Sequence, residues 1–137
     1  MSQLDDFNQA VIKEFRANKG KVGGQMEGMP MILVTMTGAK SGRTIVKPLV
    51  YSKDGDRVVI VASFAGAPIN PPWYHNLMKN PVATVEIGTE KFQVRAKATT
   101  GEERERLFNQ HAAQMPIFND YKKKTSRQIP VLVLERT

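Results

Sequence analysis

Residues 31–62 read MILVTMTGAKSGRTIVKPLVYSKDGDRVVIVA, and this stretch decides the fold. Met31–Thr37 is an apolar run of strand length, and Gly38–Gly42 turns the chain after it. Ile45–Ser52 reads as a second strand. Asp54-Gly55 is a hairpin signal that leads into a third apolar run, Val58–Ala62. Strands joined by such short turns run antiparallel, because a parallel return needs a crossover of a dozen or more residues.

Upstream, Leu4, Phe7, Val11, Ile12 and Phe15 recur at helical spacing, with Asp5, Asp6, Lys13, Glu14 and Arg16 opposite. Residues 1–19 are thus expected to form an amphipathic helix that ends before Gly20, followed by a flexible loop, Gly20–Gly24. Its apolar face either covers the sheet, the commoner outcome, or rests peripherally on a membrane. Downstream, Asn70-Pro71-Pro72 reads as an N-cap followed by proline at the first helical position, opening a short helix through Trp73 to Met78 that Asn80-Pro81 ends. Val82–Ile87 and Phe92–Ala98 are strands around Gly88. Thr100-Gly101-Glu102-Glu103 has the capping-box spacing and opens a helix to about Gln114. Ile129–Leu134 is the last strand. The order predicts an α+β fold over residues 1–137, a single domain of about six mainly antiparallel strands curled into a barrel with peripheral helices.

Composition agrees. The 137 residues are 41% hydrophobic and 24% charged, too few for separate dinucleotide and substrate domains. No apolar run is long enough to span a bilayer. The polar, acidic start does not read as a secretory signal. With no cysteine there is no disulfide, thiolate nucleophile or cysteine metal site, and a cytoplasmic setting is expected. Of the +7 net charge, residues 31–53 hold four through Lys40, Arg43, Lys47 and Lys53, with no acid. A nucleic-acid binder would spread its bases over a face and interleave aromatics. Tyr51 is the one aromatic in this segment, so the charge points to a compact anion site instead.

Several chemistries fall away. No G-x-G-x-x-G follows a strand, residues 38–42 lack the Walker spacing, and Ser41 is not in a nucleophile elbow. His75 and His111 lie on separate predicted helices without a carboxylate pattern, so no metal site is expected. Two clusters remain. Gly38-Ala39-Lys40-Ser41-Gly42-Arg43 could turn successive N–H groups toward one anion, with Lys40 adding charge and Ser41 a hydroxyl; the alternative is a hairpin turn with solvated charges. Ser63-Phe64-Ala65-Gly66-Ala67-Pro68, then Asn70 to Asn76, joins a strand ending in small residues to a helix start rich in aromatics. A flat ring could approach the backbone there, unless Trp73 and Tyr74 simply anchor the helix on the barrel. Phe108, Met115, Phe118 and Tyr121 form a third apolar group, more often core than cofactor wall.

The chain resembles the deazaflavin-dependent nitroreductase family, coenzyme F420-dependent oxidoreductases of actinobacteria with a split β-barrel fold. The resemblance is carried by Gly20-Lys21-Val22-Gly23-Gly24, Thr37–Gly42 with Pro48-Leu49-Val50-Tyr51, Val61-Ala62-Ser63 with Gly66-Ala67, Trp73-Tyr74-His75-Asn76-Leu77 with Asn80-Pro81, and Ile129-Pro130-Val131. It implies that Ala39, Lys40 and Ser41 meet the cofactor's phosphate and glutamate tail, with Val46, Lys47, Pro48, Leu49 and Val50 alongside. Val61, Ala62, Ser63 and Phe64 would line the deazaflavin ring, and Pro72, Trp73, Tyr74 and Asn76 would close the site. Ile45 stands where the family often has Arg, which passes the anion contact to Arg43 or Lys47, and Phe64 replaces a frequent Lys. Met115 and Phe118 occupy positions where the namesake nitroreductase activity relies on tyrosines, which leaves Tyr121 as the phenol of that segment.

The resulting expectation is a reductase that passes a hydride from reduced F420 to a small electron-poor acceptor such as an enone or quinone, with protonation from Tyr121, Ser63 or solvent. The rival readings are a split barrel that uses flavin mononucleotide (FMN) and a non-catalytic deazaflavin carrier. The oligomeric state is open.

Overall fold

The computed structural model describes residues 3–23 and 29–137, with side chains from Asn8 onward. The chain runs α1 (Gln3–Ala17), β1 (Met31–Thr37), β2 (Thr44–Val50), β3 (Ser52–Asp54), β4 (Arg57–Val61), a 3-10 turn (Phe64–Gly66), α2 (Pro72–Lys79), β5 (Val82–Ile87), β6 (Glu90–Ala98), α3 (Gly101–Gln114), α4 (Ile117–Lys123) and β7 (Val131–Arg136). All seven strands form one sheet in the order β2-β1-β5-β6-β7-β4-β3. Every neighbouring pair is antiparallel.

That order dictates the curl. β2 and β3 are the two edges of the sheet, yet they are consecutive in the chain with Tyr51 alone between them. One extended residue spans about 3.3 Å, so the edges must come together and the sheet rolls up until they do. The expected second strand, Ile45–Ser52, is therefore divided at Tyr51 between opposite edges, and the sheet has seven strands where about six were expected. Pro48 sits in β2 opposite Leu33, at an edge, where a residue without an N–H does least harm.

Three apolar layers follow. The barrel interior joins Ile32, Val34 and Met36 of β1 to Ile60, Val85, Val94, Leu132 and Leu134, with Trp73 and Leu77 of α2 as its plug. On the outer face of β4 and β7, Val59, Val61, Val131 and Val133 pack under Leu107, Phe108, Met115 and Phe118. On the outer face of β1, Met31 and Leu33 pack under Val11, Ile12 and Phe15. Strands covered on both faces read as unbroken apolar runs rather than alternating ones. That is why β1, β4 and β7 look alike in sequence.

The apolar residues Val11, Ile12 and Phe15 are thus spent on the sheet rather than on a membrane; Leu4 and Phe7 lie outside the described side chains. Among the described residues no helix is long and apolar enough to cross a bilayer. Phe15 is 1% exposed, so Phe15→Ala is expected to cost about 3–5 kcal/mol of folding stability, read as a shift in the urea midpoint. At the end of α1, Gly20 (φ +94°) lies so close to Gly88 that a Cβ would sit 2.6 Å from the Gly88 Cα. This close approach pins the helix end to the β5–β6 turn.

Several local expectations are corrected. The last strand is Val131–Arg136, not Ile129–Leu134, since Pro130 has no N–H to give the ladder; its carbonyl instead accepts from Ala62 N (2.9 Å). β6 begins at Glu90, two residues before Phe92. The N-cap of α2 is Pro71, and Asn70 serves elsewhere, accepting a hydrogen bond from Arg127. Thr100 caps α3 without a side-chain bond, and Glu103 pairs with Arg57 (3.1 Å) instead of returning to the cap, so neither bond of the capping box forms. Neither α4 nor the 3-10 turn was anticipated. Gly24, expected in the loop after α1, lies outside the described residues.

Candidate functional site

Two clefts open along β2. The first, about 600 Å³, is lined by Met29, Lys47, Pro48, Leu49, Val50, Ile60, Val61, Ser63, Phe64, Ala65, Trp73, Ile117, Phe118 and Tyr121. The second, about 510 Å³, is lined by Asn8, Gln9, Thr44, Ile45, Val46, Lys47, Phe64, Pro71, Pro72, Trp73 and Asn76. They share Lys47, Phe64 and Trp73 and so form one groove with a junction. No described carboxylate lines either one, while Lys47 stands at the junction. Among the described residues an anionic ligand meets no like charge there, and the apolar walls of the first cleft suit a flat ring.

Beyond the second cleft lies the β1–β2 turn, residues 38–43. Ala39 N donates to Asn76 Oδ1 (2.9 Å), and Lys79 Nζ donates to the Ala39 carbonyl (2.8 Å). Asn76 is buried, and its Nδ2 also reaches Met36 Sδ at 3.7 Å. This is why an asparagine belongs on that face of α2: it ties the basic turn to the helix beside the cleft. The expected nest of N–H groups is only partly available, because Gly38 N bonds Arg43 O, Gly42 N bonds Gly38 O and Arg43 N bonds Ser41 Oγ. Gly42 alone of the two flanking glycines is left-handed (φ +69°); at Gly38 a Cβ would sit 2.6 Å from Ser41 Oγ, so the hydroxyl would have to turn away. Lys40 and Ser41 are exposed.

The wall from Ser63 to Asn70 is strained. Phe64 (φ 48°), Ala65 (φ 53°) and Gly66 (φ 82°) are left-handed in succession, and non-glycine residues there cost on the order of 1–3 kcal/mol each. Arg127 spans the segment. Its Nη2 donates to the carbonyls of Ala62 (3.1 Å) and Ser63 (2.9 Å), its Nε to Ala67 O (2.9 Å) and its Nη1 to Asn70 Oδ1 (2.6 Å). Burial pushes its pKa below the ordinary guanidinium value. Nothing in the sequence singled this arginine out.

Most of the residues named from sequence meet in the groove. Lys47, Pro48, Leu49, Val50, Val61, Ser63, Phe64, Trp73 and Tyr121 line the first cleft; Val46, Pro72 and Asn76 line the second. Five do not line it. Ala39, Lys40 and Ser41 are in the turn beyond, and Ala62 is fully buried in the barrel interior. Tyr74 packs half-buried on that interior with its ring edge-on to His75. The two hydroxyls named for chemistry, Ser63 and Tyr121, share the first cleft. Met29, Ile60, Ala65 and Ile117 were not anticipated as wall. Phe118, expected as core, is both core and wall. Met115 is core only, so of this pair Phe118 alone stands on that wall.

Behind Phe118 lies His111, fully buried, its ring edge-on to the phenyl at 4.5 Å. Its Nδ1 shares a 2.7 Å hydrogen bond with Ser52 Oγ, while Nε2 has no partner. Burial lowers its pKa to about 4. It stays neutral at pH 7 and does not open to the cleft. Among the described residues no cluster of His, Asp or Glu could hold a metal ion.

A family model described as F420H(2)-dependent quinone reductase matches residues 8–136. An F420H(2)-dependent quinone reductase of Mycobacterium tuberculosis is 36% identical over 128 residues, covering 89% of this chain and 85% of that protein. A solved structure titled as an F420-H2 dependent reductase, FDR-A, superposes with a TM-score of 0.72 at 36% identity, over 77% of this chain and 94% of that one. A structure titled as a domain-swapped dimer gives 0.74 at 31% identity, over 98% and 100%. The heme storage protein HutZ of Vibrio cholerae, at 15% identity and a TM-score of 0.61 over 92% and 87%, shares the fold alone.

Proposed function

The chain belongs to the F420H(2)-dependent quinone reductase family, and from that membership we propose that it passes a hydride from the reduced deazaflavin to a quinone or a comparably electron-poor enone. It is an F420-dependent reductase, which sets the FMN and carrier alternatives aside. The acceptor is a small molecule; nucleic acid has no part in this reading. The observation that carries it is the joined groove: apolar and roomy in its first part, without a carboxylate among the described residues, and leading toward the basic β1–β2 turn.

The residues present fit the cofactor. Val61, Ser63 and Phe64 form a ring-sized wall with Pro48, Leu49 and Val50 opposite in β2, and Trp73 closes the junction. Ala62 supports that wall from the barrel interior. Lys40 and Ser41, with Ala39 held by Asn76, would take the phosphate and carboxylate tail; Val46, Pro72 and Asn76 would flank the passage, and Tyr74 would brace α2. The reduced deazaflavin supplies the hydride when bound. The chain's own residues orient the ring against the acceptor and exclude water. Reduction of a quinone also consumes a proton, and Tyr121 and Ser63 are the hydroxyls on the wall that can pass one from solvent.

The test is a titration of cofactor fluorescence by the protein. Lys40→Ala is expected to weaken binding by about 1–3 kcal/mol, the scale of a lost charge-assisted hydrogen bond. The difference should shrink as salt rises, because Lys40 is exposed. Equal binding by the variant and the wild type at low salt would remove the turn from the anion site.

A further inference from the structure

We propose that Arg127 is a positioning residue of this groove: its guanidinium fork holds the left-handed turn Phe64–Gly66 against α4 and so sets the wall that cofactor and acceptor share. The assignment of occupants rests on the function proposed above; the clamp itself rests on geometry.

The turn has little else to hold it. Its own backbone supplies two hydrogen bonds, Gly66 N to Ser63 O and Ala67 N to Phe64 O, and Ser63 makes no side-chain cap. Arg127 brackets it from both ends, with Ala62 and Ser63 before it and Ala67 and Asn70 after it. All four acceptors are uncharged, and Arg127 is in none of the described ion pairs. Arg127 is half-buried, and a guanidinium partly withdrawn from water without a carboxylate loses hydration that a fully solvated arginine keeps, so burial lowers its pKa. What it supplies in return is direction: three nitrogens in one rigid plane reach acceptors on both sides of the turn, which the point charge of a lysine cannot do.

The same residue couples the turn to the facing wall. At Gly66 a Cβ would meet Lys124 Cβ at 2.8 Å and the Tyr121 carbonyl at 3.0 Å, so the turn lies directly on the end of α4. That helix carries Ile117, Phe118 and Tyr121 into the first cleft. Arg127 follows it closely, its own N–H bonded to Thr125 Oγ1 at 3.3 Å. Its side chain therefore fixes the turn, and the turn packs on the helix that makes the other flank of the cleft.

The experiment compares wild type, Arg127→Ala and Arg127→Lys well below each protein's melting midpoint. Amide hydrogen exchange over residues 62–70 is read against the β5–β6 amides, alongside Kd for oxidised F420 by fluorescence. Both variants are expected to exchange faster over 62–70 by about tenfold or more, with β5–β6 unchanged, and to bind F420 about tenfold more weakly. Rescue of both readouts by Arg127→Lys would overturn the proposal, because charge alone would then suffice. Exchange over 62–70 in the variants at the wild-type rate would overturn it too, as would a uniform rise across the sheet, or an unchanged Kd in the variants when the wild type binds F420. If the wild type itself fails to bind F420, the proposed function fails, and the exchange arm alone decides the clamp.

Discussion

Acidification from pH 7 to pH 4 is expected to remove about 3 kcal/mol of folding stability through His111 alone. The imidazole is fully buried, and burial holds its pKa at about 4 against the ordinary 6.5. The unfolded chain therefore binds the extra proton first. The contribution is complete above the unfolded value and is lost as pH falls from about 6.5 through 4. Ser52 Oγ cannot offset a charge at His111, since it offers one neutral dipole at 2.7 Å, and Nε2 has nothing to donate to. Urea unfolding at pH 7, 5 and 4 reads the loss directly, and His111→Gln should flatten the slope over that window. An equal loss in the variant would move the effect to other groups. Asp54, held below the ordinary carboxylate range by Arg106 and Arg57, gives up its share only at more acid pH.

What could be read from the sequence was what depends on near neighbours. The hairpins of residues 31–62, the strand Val82–Ile87 and the proline-started helix α2 are announced by turns and breakers within a few residues of each element. Closure of the sheet is not. The division of one apolar run at Tyr51 follows from two edges meeting, which depends on how far five intervening strands curl. α4 was hidden for another reason: it is seven residues long, too short to show a period, and begins after Pro116. The groove was legible where the family motifs lie, at Val46–Val50 in β2 and at residues 61–64, where β4 gives way to the 3-10 turn. Arg127 was not, because three of its side chain's four partners are backbone carbonyls, and any residues with the same backbone path would supply those; Asn70 alone is held by its side chain.

The acceptor should be chosen by the wall that Phe118 makes. A nitro group gathers negative charge as it is reduced, and a wall with few donors supports that charge poorly; quinones and enones spread it over a conjugated frame. Phe118, Ile117 and Met29 are apolar, and Tyr121 is the one phenol lining the cleft. One missing donor to a developing anion is worth about 10²–10³ in rate. With the same reduced cofactor, kcat/KM for a benzoquinone or naphthoquinone is thus expected to exceed that for a bicyclic nitroimidazole by at least about 10². Phe118→Tyr is expected to raise the nitroimidazole value by about tenfold, since it places a phenol on the wall. Met115→Tyr should not, because Met115 is core and does not line the cleft; the added hydroxyl would be buried among Leu107, Phe108 and Ile129 and would cost stability instead. The pair of variants separates a donor in the cleft from a change in bulk. A wild-type preference for nitroimidazoles would show that this reaction does not need the phenols.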